Sequence, residues 1–289
     1  MLSTLIGDHK FAWGVRTYVM GVVNATPDSF SGDGVLPSTG DAQAAIDQAL
    51  RLEDEGADII DVGGESTRPA SVYPGAAPID ANSEVDRVVP VIEGLIGRLG
   101  VPLSIDTRKA AVAVAAVEAG AVLVNDVSML RDPDMIGVIA DKELPVVVSH
   151  IRPGGLPGHA YFDVLKAVLD DLHGAIKRLT DAGVLRWQII VDPGIGFGKN
   201  AEQSLVLLKA LGWVRGSIEH PLLVGTSRKS FIGATTGEPV EDRRFGTAAT
   251  VALAVQAGAD IVRVHDVKEM VRVVKMSDAI VRDGSEDHA

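Results

Sequence analysis

VPLSIDTRKAAVAVAAVEAGAVLVNDV, residues 101–127, is the stretch that decides the fold. A short apolar run over 101–107 ends in Asp106-Thr107, a longer segment with helical spacing fills 109–119, and a second apolar run follows at 122–127. Between helix and second run stands Ala119-Gly120-Ala121, where glycine tolerates the left-handed conformation that ends a helix. The runs are apolar through their length instead of alternating, as strands covered on both faces must be. Strand, helix, strand in this order means parallel strands joined by a right-handed crossover.

The same unit recurs along the chain. Eight runs of this kind lie at 17–24, 57–64, 101–107, 122–127, 144–150, 187–194, 221–227 and 259–266. Helical segments such as 42–55, 109–119, 161–182, 202–211 and 244–257 separate them, and Glu55-Gly56-Ala57, Ala182-Gly183-Val184 and Ala257-Gly258-Ala259 repeat the glycine exit. An open doubly wound sheet uses the same local units, but a count of eight favours a closed barrel. The expected fold class is therefore α/β: a single (β/α)8 TIM barrel, one domain over residues 1–282, with a short N-terminal hairpin or lid (1–16) on the barrel floor. The acidic tail 283–289 has no apolar residue beyond its closing alanine and is expected to be disordered.

Composition narrows the function classes. With 46% hydrophobic but only 4% aromatic residues, aliphatic side chains must fill the core. There is no cysteine, which excludes disulfides, thiolate metal sites and a cysteine nucleophile. A net charge of −12 without a lysine/arginine block argues against nucleic acid as a partner. No apolar stretch reaches the ~18 residues of a membrane span, and residues 1–16 lack the pattern of a signal peptide. A soluble, cytoplasmic protein is expected.

In a barrel of this kind the reacting groups sit where strands run into the following loops. The strand ends here offer Asn24, Asp61, Asp106, Asn125 with Asp126, His150, Asp192, Ser227 with Lys229, and Arg263 with His265. A carboxylate closing an apolar run is costly to bury without a partner, which points to a ligand; Asp61 and Asp126 could equally be helix caps. The acceptors Asp106, Asn125 and Asp192 beside one lysine match a flat heterocycle that presents N–H donors on one edge and a carbonyl on another. Arg68, Lys229, Arg263 and His265 add local positive charge to an acidic chain, which suits a phosphate-bearing substrate.

Two glycine-rich stretches need care. Asp192-Pro193-Gly194-Ile195-Gly196-Phe197-Gly198-Lys199 looks like a phosphate loop, yet Pro193 and Asn200 break the Walker pattern and Lys199 breaks G-x-G-x-x-G. It reads as a tight loop that brings backbone to a ring, with Phe197 packing on the substrate. Phe30-Ser31-Gly32-Asp33-Gly34 is flexible enough for a mobile lid. No H-E-x-x-H or paired-histidine spacing supports zinc; a hard ion held mainly by substrate phosphate would find its best oxygen ligand in Asn24.

These residues resemble the dihydropteroate synthase family. Asn24-Ala25-Thr26-Pro27-Asp28-Ser29-Phe30 is similar to its first signature, and Gly63-Gly64-Glu65-Ser66-Thr67-Arg68-Pro69 to its second substrate loop. Ser104-Ile105-Asp106-Thr107, Asn125-Asp126-Val127-Ser128, the 192–199 stretch, Ser227-Arg228-Lys229-Ser230-Phe231 and Arg263-Val264-His265-Asp266 complete the likeness, in order, from about Met20 to His265.

The resemblance implies that Asp106, Asn125, Asp192 and Lys229 hold a pterin ring, while Arg263, His265 and Asn24 hold its diphosphate and Mg²⁺. Asp28, Thr67, Arg68 and Ser230 would belong to the closing loops and the para-aminobenzoate pocket, and Asp28, Arg68, Lys229, Arg263 and His265 would serve catalysis. The amine of aminobenzoate would displace diphosphate from the pterin methylene, and the protein would be a homodimer. With Arg263 on the diphosphate, its removal should spare binding of the bare pterin.

The chain departs from the family pattern twice. Residues 149–159 are glycine-rich, with Ser149 where methionine is common, and 31–34 read Ser-Gly-Asp-Gly in place of Ser-Asp-Gly-Gly. Three rival functions would use parts of the same pattern. A pterin-barrel methyltransferase shares the ring grip but has no use for Lys229, Arg263 and His265. A phosphate-sugar isomerase needs a glutamate base that no strand end supplies. A non-catalytic or altered-substrate pterin-binding paralogue is the third.

Overall fold

Inside the chain, alternation along each strand separates two cores. In the computed structural model, which describes residues 3–26, 42–65, 78–151 and 163–282, a hairpin of β1 (Ser3–Ile6) and β2 (His9–Ala12) precedes eight parallel strands. These are β3 (Tyr18–Asn24), β4 (Ile59–Gly63), β5 (Leu103–Asp106), β6 (Leu123–Asp126), β7 (Val146–Ser149), β8 (Ile189–Asp192), β9 (Leu223–Val224) and β10 (Ile261–Val264). From β3 to β8 each pairs with the next in sequence, and β10 pairs with both β9 and β3. A single parallel bridge between Val191 and Leu222, with the Val191 N–H donating to the Pro221 carbonyl at 2.9 Å, closes the ring.

Side chains pointing outward, such as Val62, Ile105, Val124, Val148, Val191 and Val262, pack into one buried cluster with the surrounding helices. Inward-pointing Met20, Ile59, Leu123, Val147, Ile190, Leu223 and Ile261 form a second cluster together with Ile6, Phe11, Trp13 and Tyr18. The expected hairpin thus plugs the floor of the barrel, with Trp13 Nε1 donating to Thr4 Oγ1 at 2.9 Å and Phe11, Trp13 and Tyr18 in mutual ring contact. Each fully buried aliphatic side chain stabilises such a core by about 1.5–3 kcal/mol.

The helices are α1 (Gln43–Asp54), α2 (Ala81–Leu95), α3 (Ala110–Ala119), α4 (Met135–Asp141), α5 (Val164–Asp181), α6 (Ala201–Lys209), α7 (Leu211–Ser217), α8 (Ser230–Thr236), α9 (Arg244–Gln256) and α10 (Val267–Val281). The glycine exit holds: Gly120, at φ 123°, follows α3 where a side chain would be strained.

Three strand and helix expectations change. The run at 187–194 begins as strand only at Ile189, because Arg186–Gln188 form a 3-10 turn. The run at 221–227 shortens to Leu223–Val224, since Pro221 has no N–H to give to a ladder and the chain beyond Val224 turns into a loop bonded by its own polar side chains. Pairs of helices, α6 with α7 and α8 with α9, follow β8 and β9. The tail 283–289 and residues 161–162 of the expected fifth helix lie outside the described residues.

Candidate active site

Parallel strands in register point paired residues to the same side. On β4, β6, β7, β8 and β10 the inward positions change from apolar to polar within one alternation, roughly 6–7 Å further along the strand. Above the apolar layer stand Asp61 on β4, Ser104 and Asp106 on β5, Asn125 on β6, Ser149 on β7, Asp192 on β8 and Arg263 on β10, brought level by Asp61↔Ser104, Asp106↔Asn125 and Ser149↔Asp192. A polar mouth over an aliphatic floor is the result.

Arg263 ties this layer together. Its Nε donates to Asp61 Oδ2 and its Nη2 to Asp106 Oδ2, each at 2.6 Å. Asn125 Nδ2 donates to the same Asp61 oxygen at 2.9 Å. Asp61, with 0% exposure, is therefore no helix cap but a member of the site. Asp126, one residue on from Asn125, faces the other way and accepts from the Ser128 and Leu130 N–H groups at 2.8 and 2.9 Å, folding the loop after β6. Asp126 is no helix cap either, since α4 begins only at Met135; its carboxylate holds a loop instead.

Across the mouth, Asp192 takes the Gly194 N–H on Oδ1 at 2.8 Å and the Ser149 hydroxyl on Oδ2 at 3.1 Å. Lys229 Nζ donates to the Ile195 carbonyl and stands 4.0 Å from the centre of the Phe197 ring. His265 receives its place from Ser227, whose Oγ lies 2.9 Å from Nδ1 and accepts the His265 N–H at 3.2 Å. Asn125, Ser149, Asp192, Phe197, Lys229, Arg263 and His265 line one cavity.

Burial governs the ionisation of the site. Asp106 is pushed up to about 7 by loss of water and by the neighbouring Asp61 charge, although Arg263 works in the opposite direction. One guanidinium cannot neutralise two buried carboxylates. Lys229 is brought down to about 8, first by burial and then by Arg263, with Asp192 opposing. Burial also works against the Arg263 charge, but Asp61 and Asp106 outweigh it and hold its pKa above the ordinary value. Asp61 Oδ1, Asn125 Oδ1 and Ser104 Oγ are buried without a hydrogen-bond partner, a state that usually marks a place where a ligand or water completes the network.

Of the site residues expected from sequence, Asn125, Asp192, Phe197, Lys229, Arg263 and His265 meet in the cavity, and Asp106 joins them through Arg263. Asn24 ends β3 at the rim, half-buried, beside Gly63. Ser230 opens α8, exposed, next to Lys229. Asp28, Thr67, Arg68, the expected lid at 30–34 and residues 152–159 lie outside the described residues. At the base of the Thr67 loop, Glu65 is bound by Arg108 and by Lys109 at 2.6 Å, and Lys109 also holds the buried Glu84. Sequence reasoning left Asp61 undecided and gave Ser149 no role; the signal for both was parity, since each falls two residues after an apolar inward position, Ile59 and Val147.

Comparison with known proteins agrees with this geometry. The sequence pattern described as "Pterin binding enzyme" matches residues 20–265. A dihydropteroate synthase of Bacillus subtilis is 45% identical over 274 residues, covering 94% of this chain and 92% of the relative. The structure superposes with a TM-score of 0.86 on a dihydropteroate synthase from Clostridium difficile determined in the presence of pteroic acid, which is 42% identical; 94% of this chain and 100% of that one are covered. A Xanthomonas albilineans dihydropteroate synthase in complex with 7,8-dihydropteroate is 37% identical at a TM-score of 0.84, covering 98% of this chain and 100% of that one.

Proposed function

The chain belongs to the pterin binding enzyme family and is a transferase, a dihydropteroate synthase, and we propose how its rim residues divide that work. The reaction joins hydroxymethyl-dihydropterin diphosphate to para-aminobenzoate. A carbon–nitrogen bond forms at the pterin methylene, the carbon–oxygen bond to diphosphate breaks, and the amine gives up a proton.

Asp192 and Asn125 accept from the ring's N–H edge, with Asp106 beside them, and Lys229 donates to the ring carbonyl. Phe197 covers a ring face. The Arg263 donors not spent on Asp61 and Asp106, together with His265, offset the charge that develops on the departing diphosphate. Asp28, Thr67, Arg68 and Ser230 are assigned to the closing loops and the aminobenzoate. The observation that carries this reading is the meeting of residues 125, 192, 229, 263 and 265 in one cavity.

Mg²⁺ fits in one way. Among the described residues no cluster of His, Cys, Asp and Glu could cage a metal ion, whereas the Asn24 amide offers one hard oxygen at the rim. That donor set suits an ion whose remaining ligands are substrate phosphate oxygens and waters. Such an ion would supply positive charge to the leaving group.

The direct test is to incubate purified protein with Mg²⁺, the pterin diphosphate and para-aminobenzoate. Diphosphate and dihydropteroate should appear in equal amounts, and only with both substrates present. Pterin binding without diphosphate release would mark a non-catalytic pterin-binding paralogue instead.

A pH profile follows from the two shifted groups. Below about 7 Asp106 is protonated and no longer a full acceptor; above about 8 Lys229 loses the proton it needs to donate. The pH dependence of kcat/KM should therefore be a narrow bell, rising through the first value and falling beyond the second. A profile flat across both would remove these groups from the ring grip.

A homodimer is part of the same proposal. On α9 and α10, which pack against each other, the large apolar side chains Phe245 (82% exposed), Leu253 (52%), Met276 (64%) and Ile280 (71%) are left in water, and we assign them to the association surface. Sedimentation of the 30.3 kDa chain should give a dimer, and Phe245→Asp with Met276→Asp should give a folded monomer. A monomeric wild type would contradict this assignment. A diphosphate ester does not cross a bilayer unaided, so the protein is assigned to the compartment where that substrate is made, here the cytoplasm.

A further inference from the structure

Lys199 closes the glycine-rich stretch that follows β8, the place where a phosphate loop would aim a lysine at its ligand. Here the side chain turns inward and is only 6% exposed. Its Nζ lies 2.9 Å from the Gly194 carbonyl, 3.1 Å from that of Phe197 and 3.3 Å from that of His150, and 2.9 Å from His150 Nδ1. An ammonium can only donate, so His150 Nδ1 accepts. The imidazole is then neutral with its proton on Nε2, directed at Asp171 of α5 at 3.1 Å.

The loop is wrapped tightly around this contact. Gly194 has φ 65°, and a Cβ there would fall 1.9 Å from the His150 carbonyl oxygen, so only glycine lets the backbone close on His150. What the wrapped loop presents outward is the ring site itself: the Gly194 N–H on Asp192, the Ile195 carbonyl on Lys229 and the Phe197 ring beneath the same lysine. Three cavity residues thus depend on one short loop, two of whose carbonyls, those of Gly194 and Phe197, meet on one buried cation.

We infer that Lys199 is a positioning residue: its buried ammonium, seated on neutral His150, fixes loop 193–198 so that Asp192, Phe197 and Lys229 meet the pterin ring in one geometry. This role rests on the reading of the cavity as a pterin site. An apolar residue at 199 would leave three carbonyls and an imidazole nitrogen facing a group that cannot donate, and the loop would rearrange to reach other partners.

The test uses Lys199→Met and calorimetric titration with 6-hydroxymethylpterin and, separately, with its diphosphate. Both affinities should weaken by a similar factor, about tenfold or more, in protein that still melts cooperatively. Loss confined to the diphosphate would mean that the lysine reaches the leaving group, and a lowered melting temperature with unchanged affinities would mean a structural role only; either overturns the inference. Wild-type protein that binds neither ligand would sink the pterin reading along with it. Should the variant not fold, nitrogen-15 NMR of wild-type His150 decides: the neutral Nε2–H tautomer is expected at neutral pH, and an imidazolium or an Nδ1–H tautomer refutes the proposed seat.

Discussion

Arg263→Ala is expected to abolish turnover, lowering kcat/KM by about 1,000-fold or more and destabilising the protein by about 3–5 kcal/mol. The guanidinium bonds both Asp61 and Asp106 at 2.6 Å. Without it two neighbouring carboxylates remain in the barrel mouth, one of them with no exposure to water. Removing one partner of a buried ion pair costs more than the pair itself contributes, because the other charge is left uncompensated.

A pH dependence follows with a definite sign. Asp106, already pushed up to about 7 by burial, loses the Arg263 charge that opposes this rise, so the variant should be most stable in mild acid and lose stability as the pH rises. The bare pterin should also bind poorly, contrary to what a purely diphosphate-binding Arg263 implies, since Asp106 and Asn125 both take their positions from the Arg263–Asp61 pair. Urea unfolding and calorimetry with 6-hydroxymethylpterin check these outcomes. A variant as stable as wild type that loses only diphosphate affinity would return Arg263 to the simpler role.

Asp192→Asn should weaken pterin binding by about 2–4 kcal/mol, that is about 30- to 1,000-fold. Both oxygens already accept one protein donor, the Gly194 N–H and the Ser149 hydroxyl. Each keeps a lone pair for the ring. An amide keeps its oxygen for the Gly194 N–H and turns its NH₂ toward the Ser149 hydroxyl, which can accept, but that NH₂ also faces the ring edge, so one ring bond is lost and a donor faces a donor. Folding should change little, because the neutral amide is no harder to bury than the carboxylate it replaces. Unaltered pterin affinity by calorimetry would remove Asp192 from the ring grip.

The barrel was legible because strands covered on both faces are apolar throughout, as Ile189–Asp192 shows up to its last residue. The strand expected at 221–227 was overextended because apolar content does not report hydrogen bonding, and Pro221 and the turn beyond Val224 cut it to two residues. At the site, residue type and strand-end position were enough to expect Asn125, Asp192, Lys229 and Arg263 around one cavity, where they meet. They were not enough for Asp61, because an aspartate in a capping turn and one inside a barrel look alike until the side-chain parity is fixed by neighbouring strands. The direction of Lys199 was hidden for a related reason: the glycines announce a tight loop but not which way its lysine points. Asp126 and Asn125, adjacent in sequence, part company on opposite faces of β6.

The most direct measurement is a crystal structure of the protein soaked with the pterin diphosphate. The ring should lie inside the barrel mouth with its N–H edge on Asp192 and Asn125, its carbonyl within reach of Lys229, and the diphosphate beside Arg263 and His265. A ring bound anywhere else, with Asp192, Asn125 and Lys229 still bonded only to protein, would contradict the assignment.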